Sequence, residues 1–232
     1  MKKNYHWWVF GVAFLTLLGA AGFRSTPAIL IDPLKKEFGW GRGTIGTAVS
    51  INVLLYGFIG PFAAALQMKY GLRRITIWAL SVISIGALLT TQISTTWHLY
   101  LLWGGVVGTG SGCLATVFAS TVATRWFVKN RGLVIGGLTA ASASGQLIFL
   151  PVLSRLAEHY GWRWVGVTIA LSALAVIPFV ALLLRNYPSD VGLLPYGAEH
   201  DYVLPETSDR PIRAAFSAFT AAKRSGVFWM LW

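Results

Sequence analysis

The stretch VGVTIALSALAVIPFVALLL, residues 165–184, decides the fold class of this chain. It contains no charged residue, and about 20 apolar residues in a helix, at about 1.5 Å per residue, are long enough to cross the hydrocarbon core of a bilayer. The stretch therefore predicts a transmembrane helix. Five further apolar runs of similar length precede it, at residues 8–31, 44–66, 75–93, 99–123 and 133–153.

The composition of the whole chain agrees with six spans. Of the 232 residues, 55% are hydrophobic and 12% are charged, whereas a soluble domain carries about 25% charged residues. Six spans of about 20 residues use about half of the chain, and loops use the rest, so a large soluble domain is excluded. We expect an all-α membrane protein with six transmembrane helices.

The chain changes character after the sixth run. Residues 185–226 contain four prolines and no long apolar run, which predicts a polar loop. Residues 227–232, VFWMLW, then resemble the first turns of a seventh span. The predicted organisation is a six-helix bundle at 1–184, a cytoplasmic central loop at 185–226 and a truncated start of a seventh span at 227–232, in an incomplete chain.

The distribution of basic residues predicts the orientation in the membrane. Thirteen of the 19 Lys and Arg residues fall on the side of the N-terminus and the long loop, and five fall on the other side. Because cytoplasmic loops carry an excess of Lys and Arg, we expect both the N-terminus and the central loop to be cytoplasmic, in a cell membrane such as a bacterial inner membrane. The net charge of +11 then reflects orientation, and no nucleic-acid partner is expected.

The positions of the acidic residues and histidines argue against an enzyme. All eight Asp and Glu residues and all four His residues lie in predicted loops or at span ends. The spans therefore offer no carboxylate or imidazole for acid/base chemistry or metal binding. The single cysteine, Cys113, excludes an intrachain disulfide framework. We expect neither catalytic residues nor a metal or other cofactor.

One charged residue, Arg24, lies inside a predicted span. An arginine at the bilayer centre costs at least about 2.5 kcal/mol, so it usually faces the interior of the bundle or a watery cavity. Alternatively, Arg24 snorkels to the interface or binds backbone carbonyls that Pro27 leaves free. A lone cation without a buried carboxylate favours an anionic substrate over a cationic one.

Further polar side chains recur at helical spacing. Asn52 and Tyr56 share one face of the second span, and Ser142 and Gln146 share one face of the fifth. Such residues either line a cavity or form hydrogen bonds between helices. We predict that Asn52, Tyr56 and Gln146 join Arg24 as substrate-binding residues.

Glycine and tryptophan add two patterns. Gly104, Gly108 and Gly112 repeat every four residues, a spacing that lets helix backbones approach closely. Most of the 11 tryptophans fall near predicted membrane interfaces, but Trp78 and Trp103 lie about one turn deeper.

Several motifs carry a resemblance to a known family. The segment AALQMKYGLRR, residues 64–74, is similar to the loop between spans two and three of the major facilitator superfamily, G-x-L-x-D-R-x-G-R-R. Here Ala64 stands in place of the first Gly and Met68 in place of the Asp. Four more segments resemble the monocarboxylate and oxalate/formate antiporter branch: GFRST at 22–26, FGWGR at 38–42, WFVKNRG at 126–132 and YGWR at 160–163.

The resemblance implies the N-terminal half of a twelve-helix transporter. It implies secondary active transport of a small organic anion by alternating access, coupled to a proton or a counter-anion. The partners would be the lipid bilayer and the missing C-terminal six-helix half, and the gating-loop residues would be Lys69, Gly71, Arg73, Arg74 and Arg131. The alternative is a non-transporting truncated membrane protein or a helical scaffold, which Met68 and the end at Trp232 favour.

Overall fold

The computed structural model describes residues 4–114 and 116–198. Six helical segments are long and apolar enough to cross a membrane, and we number them spans 1 to 6: Tyr5–Phe38, Arg42–Tyr70, Leu72–Thr90, Thr96–Trp126, Arg131–Tyr160 and Arg163–Leu183. The described part of the chain contains no β-strand, so the predicted all-α fold class is confirmed. The predicted seventh span at 227–232 and most of the predicted loop at 185–226 lie outside the described residues.

Glycines set the ends of three spans. Spans 1, 2 and 5 continue as helices beyond their apolar runs and end at Gly39, Gly71 and Gly161, whose φ angles are +70°, +90° and +91°. Residues that carry a side chain rarely adopt a positive φ angle, whereas glycine adopts it without a steric penalty. These helices thus extend beyond the apolar runs at 8–31, 44–66 and 133–153.

Two spans are interrupted along their length. Span 1 consists of the helices Tyr5–Ala20 and Gly22–Phe38, with Ala21 between them. Span 4 begins with a short turn at Thr96–His98, continues as a π-helix at Leu99–Val107 and ends with α-helices at Gly108–Cys113 and Thr116–Trp126. π-Helical turns are rare and often occur at functional sites, and hydropathy gave no sign of them.

The spans pack in pairs, with span 3 against span 6, span 2 against span 4 and span 1 against spans 5 and 6. Spans 1 and 4 are the most enclosed, with 61% and 65% of their most apolar windows buried, compared with 22% in spans 2 and 5. Both interrupted spans therefore lie inside the bundle. A functional site built on the interruptions has to lie there as well.

Close helix contacts depend on glycine, as the four-residue repeat predicted. A Cβ atom at Gly104 would lie 3.1 Å from Cγ2 of Ile51, and one at Gly108 would lie 3.1 Å from Cα of Asn52. A Cβ at Gly112 would lie 3.0 Å from Ile59. Span 4 consequently approaches span 2 so closely that side chains of one can reach the backbone of the other.

The chain after span 6 folds back over one end of the bundle. We call residues 184–198 the return segment and the end that it covers the N-terminal end. The backbone N–H of Tyr196 donates to the Trp126 carbonyl over 2.8 Å, and the N–H of Val128 donates to the Tyr196 carbonyl over 2.9 Å. The imidazole of His6, buried beside these residues, forms a 2.8 Å hydrogen bond with the Leu194 carbonyl. These bonds link the return segment, which follows span 6, to the start of span 1 and to the end of span 4.

Candidate functional site

The interruption in span 1 precedes Arg24 by three residues. The backbone N–H of Arg24 donates to the Ala21 carbonyl over 3.1 Å, a contact one residue shorter than the α-helical pattern. Pro27 has no N–H and cannot complete the next turn. The helical hydrogen-bond pattern is thus irregular on both sides of Arg24. Its neighbour Phe23 is buried.

Arg24 faces a cavity of about 320 Å³ between spans 1, 2 and 4. The side chains that line it are Phe23, Arg24, Pro27, Val49, Asn52, Val53, Tyr56 and Trp103. The structure therefore brings three of the four predicted site residues, Arg24, Asn52 and Tyr56, to one cavity.

The guanidinium of Arg24 contacts aromatic rings. Its Cζ atom lies 4.3 Å from the ring centroid of Tyr56 and 5.9 Å from that of Phe23. Among residues 4–114 and 116–198 it has no hydrogen-bond acceptor and no acidic partner. Neither a carbonyl freed by Pro27 nor a carboxylate in this part of the chain binds it, so its donors remain available to a ligand.

Asn52 is only 5% exposed and connects span 2 to the π-helix of span 4. Its Nδ2 atom donates to the backbone carbonyl of Trp103 over 2.9 Å. The close contact at Gly108 is what allows the amide to reach this carbonyl. Asn52 consequently holds Trp103, itself 6% exposed, in the wall of the cavity.

Gln146 does not belong to this group of lining residues. Its Nε2 atom donates to the Ser142 carbonyl in the same helix over 3.4 Å. Its own backbone carbonyl accepts a 3.1 Å hydrogen bond from the hydroxyl of Ser25, which follows Arg24 in span 1. In this structure Gln146 therefore contributes to helix contacts near the cavity, and its predicted role in substrate binding stays a prediction.

The turn between spans 2 and 3 holds most of the predicted gating residues. At Gly71, where φ is +90°, a Cβ atom would lie 2.6 Å from Oδ1 of Asn186 in the return segment. The same oxygen accepts the backbone N–H of Arg73 over 3.0 Å. Gly71 is thus required both by its backbone angle and by the packing of Asn186. Lys69 and Arg74 are exposed beside this turn.

Two arginines at this end of the bundle donate hydrogen bonds to backbone carbonyls. Arg125, 9% exposed at the end of span 4, donates to the carbonyls of Gln67 and Asn186 over 3.4 and 3.5 Å, and its Cζ lies 4.6 Å from the ring centroid of Tyr187. Arg131 donates from Nε to the Phe127 carbonyl at the start of span 5. The return segment and the predicted gating loop therefore form one contact region.

The opposite end of the bundle has an ion pair. Nη2 of Arg163 at the start of span 6 lies 2.6 Å from Oε1 of Glu37 at the end of span 1. The other carboxylate oxygen of Glu37 accepts the indole N–H of Trp162 over 2.6 Å. This contact ties the second helix of the interrupted span 1, which carries Arg24, to span 6.

Sequence analysis missed several residues at these sites. Phe23, Val49 and Val53 gave no signal, because apolar residues in a span look alike whether they face lipid or a cavity. Trp103 did stand out in the sequence, since it lies deeper in its span than most of the tryptophans. Asn186 lies in a stretch that was predicted only as a loop. Residues 4–114 and 116–198 hold no group of three or more His, Cys, Asp or Glu side chains that could hold a metal ion.

Comparison with known proteins agrees with this architecture. The profile of the Major Facilitator Superfamily matches residues 9–232, almost the whole chain. The chain belongs to the Major Facilitator Superfamily. This membership, together with six apolar helices in the described residues, makes it a multi-pass membrane protein.

Individual relatives within the Major Facilitator Superfamily are distant. The uncharacterized MFS-type transporter YcxA of Bacillus subtilis (strain 168) is 25% identical over 185 residues, which cover 78% of this chain and 45% of that protein. Monocarboxylate transporter 9 of Mus musculus is 26% identical over 173 residues, 75% of this chain and 34% of that protein. The fujikurins efflux protein of Gibberella fujikuroi is 26% identical over 155 residues, which cover 66% of this chain and 32% of that protein. The chain thus matches less than half the length of each relative.

Proposed function

We propose that this chain takes part in secondary active transport of a small organic anion of the monocarboxylate type. The observation that carries the proposal is the position of Arg24. It is a cation inside span 1 that faces a cavity of about 320 Å³, lies over two aromatic rings and has no hydrogen-bond or ion-pair partner in the described part of the chain. A permanent charge in the membrane without an acidic partner is stabilised when an anion binds it.

The cavity lining favours an anion over a cation or a neutral solute. Among the residues that the structure describes, Arg24 is the one charged side chain that lines the cavity, and no carboxylate does. The guanidinium can offer two parallel N–H groups to a carboxylate. In our proposal Arg24 binds the anionic group, and Asn52 and Tyr56 form the adjoining wall.

The relatives' names point to two different cargoes. Monocarboxylate transporter 9 is named for monocarboxylates, and the fujikurins efflux protein for a different cargo. Because identity is near 26% in both cases, the names alone do not choose between the two cargoes. The lone arginine in the cavity is what favours a monocarboxylate.

The proposed mechanism is alternating access between this six-helix bundle and a second one. The described cavity walls come from spans 1, 2 and 4 of this chain, and the relatives are more than twice as long as the matched region. A second bundle would supply the facing wall and any residues that couple transport to a proton or a counter-anion. Lys69, Gly71, Arg73, Arg74 and Arg131 would control opening at the N-terminal end.

Uptake by proteoliposomes tests the proposal. The full-length gene product should accumulate radiolabelled monocarboxylates from a panel that runs from acetate and lactate to benzoate, while liposomes without protein should not. Uptake should respond to an imposed pH gradient or to a preloaded anion, according to the coupled ion. If no member of the panel enters beyond the protein-free level, the chain is not such a transporter, and the scaffold alternative is favoured.

Orientation can be tested separately by labelling single cysteines. We propose that the N-terminal end faces the cytoplasm of a bacterium, because most basic residues lie at that end. In intact cells, an impermeant maleimide should label a Lys36→Cys variant and should label Arg74→Cys only after permeabilisation. Both positions are exposed, and they lie at opposite ends of the bundle. The unmodified chain is the control, since its Cys113 is 1% exposed; the reverse pattern would invert the proposed topology.

A further inference from the structure

The cavity also carries information about the uncharged part of the substrate. Apart from Arg24 and Asn52, its lining consists of three aromatic rings, from Phe23, Tyr56 and Trp103, together with Pro27 and two valines. Aromatic faces interact with other rings by offset stacking or edge-to-face contacts. An anion that fills this space therefore gains from having an apolar, ring-sized body.

The charge of the lining limits the charge of the substrate. A guanidinium can pair with one carboxylate, and no second Lys, Arg or His lines the described cavity. A dicarboxylate would place its second charge against rings and valines, where the described lining offers no second cationic partner. The lining thus favours a single carboxylate at one end and an apolar group at the other.

Trp103 is held in the wall by a backbone hydrogen bond and by burial. Its carbonyl accepts the Asn52 amide over 2.9 Å, and its backbone lies in the π-helix Leu99–Val107. The side chain is 6% exposed, and span 4 approaches span 2 closely at the neighbouring Gly104 and at Gly108. A rigid ring in a preformed wall discriminates between ligand shapes better than a mobile one.

We propose that the substrate is an arylcarboxylate, a monoanion with a ring-sized apolar body, and that Trp103 determines this specificity. The inference rests on the proposed transport function. The carboxylate binds the guanidinium of Arg24, and the apolar body lies against Trp103 and Phe23. Tyr56, under the guanidinium, keeps the cation pointed at the cavity.

The specificity test compares substrates before it compares variants. For the full-length gene product in proteoliposomes, the half-saturation concentration of benzoate or phenylacetate should be about tenfold lower than that of acetate or lactate, and oxalate should be a poor substrate. This comparison needs no mutation and does not depend on the folding of a variant. Equal half-saturation constants for acetate and benzoate, or a preference for oxalate, would overturn the inference while leaving the transport function in place.

Three variants then assign the preference to one side chain. Trp103→Ala should raise the half-saturation concentration of benzoate about tenfold and change that of acetate by less than about twofold, because only the ring contact is lost. Trp103→Phe, which keeps a ring, should restore most of the preference. Trp78→Ala is the matched control, since Trp78 is also a deep tryptophan but is 47% exposed on the outer surface of span 3. A loss that is equal for acetate and benzoate would show that Trp103 is only structural. Absence of uptake of every substrate by the unmodified protein would overturn the transport function itself.

Discussion

Replacing Arg24 with alanine should raise the half-saturation concentration for monocarboxylate uptake about 30-fold or more, which corresponds to about 2 kcal/mol. Removing one partner of a desolvated, hydrogen-bonded charge pair costs about 2–5 kcal/mol. Arg24 is suited to such a pair because it faces the cavity and has no acidic partner within residues 4–114 and 116–198. Initial uptake rates as a function of substrate concentration measure the effect.

A conservative variant and a control distinguish the loss of a substrate contact from the general effect of removing a positive charge. Arg24→Lys keeps the charge but loses the planar pair of donors, so we expect an intermediate effect. Arg42→Ala removes an exposed arginine at the start of span 2 and should leave the half-saturation concentration unchanged. If Arg24→Ala folds normally by size-exclusion chromatography and transports as well as the unmodified protein, Arg24 is not part of the binding site.

Replacing Gly145 with valine should destabilise the bundle strongly. A Cβ atom at this position in span 5 would lie 2.6 Å from Cβ of Ala21 and 2.8 Å from the backbone oxygen of Leu18 in span 1. Backbone atoms cannot rotate away as a side chain can, so spans 1 and 5 would have to separate. Overpacking of this kind typically costs about 1–3 kcal/mol, and here it falls at the interruption of span 1 next to the cavity.

Gly136 provides the matched control for this prediction. It lies in the same helix, and a Cβ atom there would meet nothing within 4 Å. Because both variants place the same β-branched residue in the same helix, the difference between them reports packing rather than helix propensity. In detergent, Gly145→Val should lower the thermal unfolding midpoint by several degrees relative to Gly136→Val, or yield no monodisperse protein. Equal midpoints would mean that spans 1 and 5 do not pack as closely as the structure indicates.

The interrupted spans show where sequence reasoning reached its limit. Hydropathy located all six spans, since an uncharged run of sufficient length has few alternatives to a transmembrane helix. It did not find the break at Ala21 or the π-helix at Leu99–Val107. These depend on contacts with other spans, such as the bond from Asn52 to the Trp103 carbonyl.

The candidate site was predictable only in its polar part. Arg24, Asn52 and Tyr56 stood out because polar groups are costly in a membrane, and the structure brings them to one cavity. Gln146 stood out for the same reason, yet its amide bonds within its own helix. Phe23 and Val49 could not be distinguished from lipid-facing residues. The return segment was a loop in the sequence, and its contacts with Gly71 and Arg125 became visible only in three dimensions.

The sequence by itself determined that this is a membrane protein, how many spans it has and that one arginine lies inside a span. Each of these follows from local chemistry, namely the length of apolar runs and the cost of a buried charge. Only the tertiary structure decided what Arg24 faces. That depends on how spans 1, 2 and 4 pack, and the close approach of spans 2 and 4 is set by glycine contacts between residues far apart in the chain. Hydropathy is a property of single residues and carries no information about such distances.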